Sequence, residues 1–329
     1  MQTTKNKIRW VSILQGWAML WVVIGHAPLG EPGNGPEWEN VLYHFAYSFH
    51  MPLFMLVSGY LFYLTRLGTW NYLDTIKDKA KRLLIPMLTF TLLAFAAKLL
   101  APSEMNRPTG FGLNELVDAF LYPEQSPLKE MWFIASLFWL FLLMPLWKWS
   151  IKRTWTMYVL LSALVFLHFI HPDIQFLCIG KMCSYAVYFY GGVLMSRTLD
   201  IERFRVMGKW WLLPGGILCY AAGYLMPFPF IETLGGIALS IALALLFDDY
   251  IPKAFFSFRD YTYQIFLMGI FVQVLVKIVF RRSHMAYLPA FTLSIISALY
   301  IPVLISVLAK SIAWKPLLVC LGIKPEKKY

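Results

Sequence analysis

The stretch WVSILQGWAMLWVVIGHAPL, residues 10–29, runs for twenty residues without one Asp, Glu, Lys or Arg. At about 1.5 Å per helical residue it reaches across the ~30 Å hydrocarbon layer of a bilayer. Lys5, Lys7 and Arg9 stand just before it, the flank expected at a cytoplasmic helix end. A basic start ahead of an apolar run also opens a secretory signal peptide. This run is too long for one and no small-x-small cleavage site follows it, so it reads as an uncleaved first helix. Working outward, comparable runs recur at 46–64, 83–101, 131–147, 155–171, 175–195, 210–226, 232–247, 261–280 and 287–309. The chain is 59% apolar and only 14% charged, more apolar surface than a water-soluble core of this length needs. The expected fold is therefore all-α: a polytopic transmembrane bundle of about ten helices, organised as a single integral-membrane domain over residues 1–329.

A formal net charge of +11 raises the question of nucleic acid, and the location of the charges answers it. Lys and Arg lie in short clusters between apolar segments, not along one basic surface, so nucleic acid is not an expected partner and membrane lipid is. With the N-terminus inside, 22 of the 29 Lys and Arg fall in cytoplasmic segments, a bias that fixes N-in, C-in orientation. The longest outer loop, about 102–130, is rich in Pro, Gly and acidic residues and is the expected external contact surface. Cys178, Cys183, Cys219 and Cys320 lie in predicted helices or the inner tail, so no disulfide framework is implied.

An ionisable group inside hydrocarbon costs several kcal/mol and is a functional candidate by default. In the first span His26 lies near the outer end and Gln15 near the inner end. Eleven residues at about 100° each bring both to nearly one face, about 16 Å apart, with Ser12 and Met19 on the same stripe. His50 enters the second span from outside and reaches a depth similar to that of His26. The two imidazoles suit either a site or simple interhelical hydrogen bonding. No third carboxylate or cysteine has ligand spacing beside them, so no metal is expected. His168 and His171 flank an outer turn at Pro172 and read as interfacial loop residues.

Residues 49–62, FHMPLFMLVSGYLF, resemble the "FHMPLFFxxSGYLF" signature of the acyltransferase family 3 integral membrane enzymes, in particular the fucose 4-O-acetylase-like branch. Further segments resemble that family in its order. They are the basic run into Lys81-Arg82-Leu83-Leu84-Ile85-Pro86, then Met131-Trp132-Phe133-Ile134-Ala135-Ser136-Leu137-Phe138, then Tyr188-Phe189-Tyr190-Gly191-Gly192. Together they span most of the chain. The family's first helix carries a basic residue, ten intervening residues and an essential His. Here His26 matches the His, Gln15 stands at the basic position and Ser12 where Asp is common. Met268 ends a segment, Tyr263 to Met268, that commonly ends in His.

The resemblance implies an O-acetyltransferase that moves an acyl group, usually acetyl, from cytoplasmic acyl-CoA to a sugar hydroxyl of an extracytoplasmic or lipid-linked glycan. The expected location is a bacterial-type plasma membrane, with acyl-CoA as donor substrate and no bound cofactor. On that reading Lys79 and Arg82, three apart and neighbours on a helix, meet the CoA phosphates, although inner flanking charge alone also accounts for them. His26 acts as general base, or first takes the acyl group as an acyl-imidazole. Gln15, His50, Glu130 and Trp132 are the expected substrate-binding or orienting groups, and Glu130 reads equally as a loop carboxylate. Two other function classes remain open. A glycan or lipid transporter would show repeated halves and broken midplane helices, and neither is evident. A non-catalytic membrane partner of a polysaccharide machine would tolerate replacement of His26.

Overall fold

The computed structural model describes residues 2–30, 35–67, 71–100, 112–199, 204–247 and 253–324. The first part of the expected outer loop, 102–111, lies outside them, as do Arg203, Lys327 and Lys328. Among the described residues there are fourteen α-helices and no strand. In order they are α1 (Gln2–His26), α2 (Glu37–Phe62), α3 (Tyr72–Leu100), α4 (Leu113–Leu121), α5 (Trp132–Leu142), α6 (Met144–Ser150), α7 (Thr154–Ile170), α8 (Ile179–Thr198), α9 (Lys209–Leu225), α10 (Pro229–Leu246), α11 (Lys253–Arg259), α12 (Thr262–Arg282), α13 (Tyr287–Ile312) and α14 (Lys315–Cys320).

Among the described residues six helices are long and apolar enough to cross a membrane: Glu37–Leu67, Tyr72–Lys98, Phe176–Thr198, Pro229–Leu246, Thr262–Arg282 and Tyr287–Ile312. The pair α5 and α6 makes a seventh when counted as one bent span, with a bend of 53°. Pro145 follows the break and supplies no backbone N–H to a continuing helix, which is why the chain turns there. The other three expected spans fall on helices with a physical reason for a weaker signal. Both α7 and α9 are seventeen residues long, about 25 Å at helical rise. In α1 a polar start, Gln15 and His26 dilute the apolar run. The molecule is thus an all-α polytopic membrane protein.

The chain divides into two compact units, Met1–Val57 with Thr198–Leu308 and Ser58–Arg197 with Ala309–Tyr329. In the first unit α1 packs against α10, α11 and α12. Trp10, Leu14, Ala18 and Met19 are almost wholly buried. Polar side chains tie the same helices together: Trp17 Nε1 donates to Ser240 Oγ at 3.1 Å and Gln273 Nε2 to the Val23 carbonyl at 2.8 Å. Such interhelical bonds are worth roughly 0.6–2 kcal/mol each in lipid. In the second unit α3 packs on α5 and α14, and Phe62, Phe141, Trp147 and Phe189 form its aromatic centre. Gly59 is required at that centre: a Cβ there would collide with the Phe189 backbone carbonyl. Only a residue without a side chain lets the two backbones approach so closely.

Candidate active site

In the first unit, α1 ends at His26, where Pro28 stops the helix two residues on. Its imidazole faces Tyr47 of α2. The Tyr47 hydroxyl lies 3.4 Å from His26 Nδ1 and 3.5 Å from Nε2, and the rings meet edge to face at 5.8 Å. Gly25 makes the approach possible, since a Cβ at that position would sit 3.0 Å from the Tyr47 ring. On its other side the Tyr47 ring meets His50 edge to face at 5.0 Å, and Tyr43 stacks on it at 4.2 Å. Residues 43, 47 and 50 follow the helical i, i+4, i+7 repeat, so α2 offers them on one face. His26 is half-buried, His50 is buried and Tyr47 is 39% exposed, so the array opens to the surface through the tyrosine.

His50 Nδ1 donates to the Ala46 carbonyl one turn earlier on the same helix. A carbonyl accepts only, so that bond places the ring proton on Nδ1 and leaves Nε2 as the acceptor. Both ring nitrogens of His26 lie within reach of the Tyr47 hydroxyl, which can donate to whichever nitrogen lacks a proton.

The neighbouring face of α2 carries a second polar group that the sequence did not announce. His44 Nε2 donates to Glu232 Oε1 of α10 at 2.6 Å; the carboxylate is 7% exposed while the imidazole is 51% exposed. Tyr224 meets His44 edge to face at 5.3 Å. Thr233 Oγ1 donates to the Ser48 carbonyl at 2.7 Å, and Ser48 Oγ donates to the Phe45 carbonyl and lies 3.4 Å from the Tyr220 hydroxyl. Glu232 is 188 residues from His44 in the chain. It is the first residue of the expected span 232–247.

Gln15 is half-buried on α1, eleven residues and about three turns before His26. The other expected residues belong to the second unit. Lys79 and Arg82 are on α3. The Lys79 ammonium lies over the Phe141 ring at 4.0 Å, and Arg82, half exposed, is 4.0 Å from Asp78, which also takes Arg66 at 2.6 Å. Glu130 is half-buried in the short turn Lys129–Met131. Trp132 opens α5, with the Tyr185 ring 5.1 Å away and the Lys181 ammonium 5.7 Å from its own ring. Each unit thus holds part of the expected set: His26, His50 and Gln15 in the first, Glu130, Trp132, Lys79 and Arg82 in the second. Among the described residues no group of three or more His, Cys, Asp or Glu could hold a metal ion, and the four cysteines are free thiols.

A bundle of several spanning helices with imidazoles gathered at one helix end defines a polytopic membrane protein with a polar site. The acyltransferase domain family, Acyl_transf_3, matches residues 8–307, and the chain belongs to that family. It is 45% identical over 64 residues to the nodulation protein NolL of Sinorhizobium fredii (strain NBRC 101917 / NGR234), a match covering 20% of this chain and 17% of that relative. To the nodulation protein NolL of Mesorhizobium japonicum (strain LMG 29417 / CECT 9101 / MAFF 303099) it is 29% identical over 142 residues, covering 43% and 36%. The chain therefore spans well under half the length of these curated relatives. No solved structure matches it.

Proposed function

We propose that this protein is a membrane O-acetyltransferase that moves an acyl group, most simply acetyl, from cytoplasmic acyl-CoA to a sugar hydroxyl of an extracytoplasmic or lipid-linked glycan, with His26 as its catalytic residue. What carries the reading is the His26–Tyr47 pair inside a chain of the acyltransferase family. A sugar hydroxyl keeps its proton at neutral pH, so a base must take it as the oxygen attacks the thioester carbonyl. The C–S bond then breaks and CoA leaves as its thiolate. In the covalent variant the His26 nitrogen attacks first, CoA leaves, and the sugar oxygen then takes the acyl group from the imidazole. Tyr47 orients His26 in either route, and His50 supports the opposite edge of the tyrosine. Gln15 serves the acyl arm by hydrogen bonding, since a neutral amide offers no charge. Glu130 and Trp132 contribute to the sugar side.

Lys79 and Arg82 meet the CoA phosphates on the inner side of a bacterial-type plasma membrane. That sidedness follows from the 22 of 29 basic residues assigned inside. Purified wild-type protein supplied with acetyl-CoA and a surface-glycan extract should add one acetyl mass to the glycan, and His26→Ala should not. Equal acetylation by the two proteins would remove His26 from the mechanism, and no acetylation by either would remove the acetyl-transfer reading.

A further inference from the structure

The connection between α7 and α8 encloses a cleft of about 270 Å³ lined by Glu124, His171, Asp173, Gln175, Lys181 and Ser184. The connection is built at a cost. His171 in the lining, and Leu177 and Cys178 just before α8, have positive φ, at 46°, 51° and 56°, and none is glycine. Left-handed backbone at such residues costs roughly 1–3 kcal/mol each and persists only where the surroundings over-determine it.

The surroundings here are a hydrogen-bond chain. His171 Nδ1 donates to Ser184 Oγ at 2.9 Å, the Ser184 hydroxyl donates to the Gly180 carbonyl at 3.1 Å, and the Gly180 N–H donates to the Ile174 carbonyl at 2.8 Å. Gln125 Nε2 donates to Gln175 Oε1 at 2.7 Å, fixing the carboxamide. The Lys181 ammonium stands 3.8 Å from the Glu124 carboxylate, with the Trp132 ring on its other side at 5.7 Å.

The chemistry of this lining selects a ligand class. Two carboxylates against one ammonium disfavour a phosphate or sulfate. The lining holds both acceptors (Glu124, Asp173) and donors (Lys181, Gln175), which suits groups that both give and take hydrogen bonds. The volume lies just below the ~300 Å³ lower end of small-molecule sites, the scale of one ring. We propose that this cleft binds a single neutral sugar ring, its hydroxyls held by Glu124 and Gln175. The assignment is one of binding alone and stands apart from the chemistry of His26.

The test uses the full chain in lipid nanodiscs, titrated with the methyl glycosides of glucose, galactose and N-acetylglucosamine and, separately, with glucose 1-phosphate and phosphocholine. Saturation-transfer NMR and tryptophan fluorescence give the dissociation constants. At least one neutral glycoside should bind saturably and more tightly than either phosphate. Glu124→Gln, which keeps the side-chain shape, should weaken it about tenfold or more, the usual effect of losing a hydrogen bond to a charged group. Gln175→Leu provides a second reading should Glu124→Gln disturb folding. His26→Ala should bind like wild type, so acetyl transfer retained with binding intact would count against the catalytic reading only. No saturable glycoside binding, tighter binding of a phosphate, or a dissociation constant unmoved by both cleft substitutions would overturn the proposal.

Discussion

Two histidine pairs in this molecule have opposite surroundings. His168 and His171 lie in the second unit with ring centroids 5.1 Å apart, and each has a fixed partner: His168 Nδ1 donates to the Ser184 carbonyl at 2.6 Å and His171 Nδ1 to Ser184 Oγ. Those bonds set ring orientation and tautomer and brace the α7–α8 connection. His26 and His50 lie in the first unit on different helices, with a tyrosine between them. His50 shares the braced character through Ala46, whereas His26 meets a hydroxyl that rotates. A carbonyl fixes the tautomer, with the proton on Nδ1 and the lone pair on Nε2, whereas a hydroxyl that can both donate and accept leaves either tautomer open.

The contrast breaks most sharply by mutation. His26→Ala should lower the acyl-transfer rate by a factor of about 100 to 10,000, the range for removal of a general base, while the protein still inserts and runs as wild type in size-exclusion chromatography. His168→Asn should instead act on stability, lowering it by roughly 0.5–1.5 kcal/mol for one lost hydrogen bond, read as a fall in melting temperature with transfer retained. A rate collapse in His168→Asn with stability unchanged would reverse the two roles. Replacing Lys79 and Arg82 together by Ala should raise the apparent KM for acyl-CoA roughly tenfold, the scale of charge-assisted phosphate contacts, with kcat nearly kept; an unchanged KM leaves these residues their inner-flank role only. Tyr47→Phe keeps the ring packing against both histidines and removes only the hydroxyl. It should reduce kcat about five- to tenfold at constant KM, the effect of one lost neutral hydrogen bond. A reporter active only outside the cell should signal when fused near residue 115 and stay dark at the C-terminus, and the opposite pattern would invert the assignment of sides.

The spans were legible because hydropathy is a one-dimensional signal: α2, α3, α8, α10, α12 and α13 lie where apolar runs of sufficient length predict them. Legibility fell where geometry depends on packing partners. The break at Leu143 interrupts an unbroken apolar run, and the start of α8 is preceded by a left-handed corner at Leu177 and Cys178 that carries no glycine to mark it. At the candidate site, depth and motif single out His26 and His50. They do not single out Tyr47, because one more tyrosine in an aromatic-rich helix says nothing about which neighbour it faces. The His44–Glu232 pair joins helices far apart in the chain, and no local pattern links them. Family membership carried the acyltransferase reading; the rotation of each helix about its axis, which decides the contacts, is written only in the tertiary packing.

The contact of Gly59 with the Phe189 carbonyl has a consequence in genetics. Any side chain at position 59 would have to push two backbones apart at the aromatic centre of the second unit, a loss of packing that no local rotamer change relieves. Missense alleles at this codon would therefore score as nulls in a screen for lost acyltransferase activity, with the product cleared by membrane proteolysis before its chemistry is tested. Position 59 would look like a catalytic position in such a map, and only the amount of protein left in the membrane would tell a missing strut from a missing reactive group.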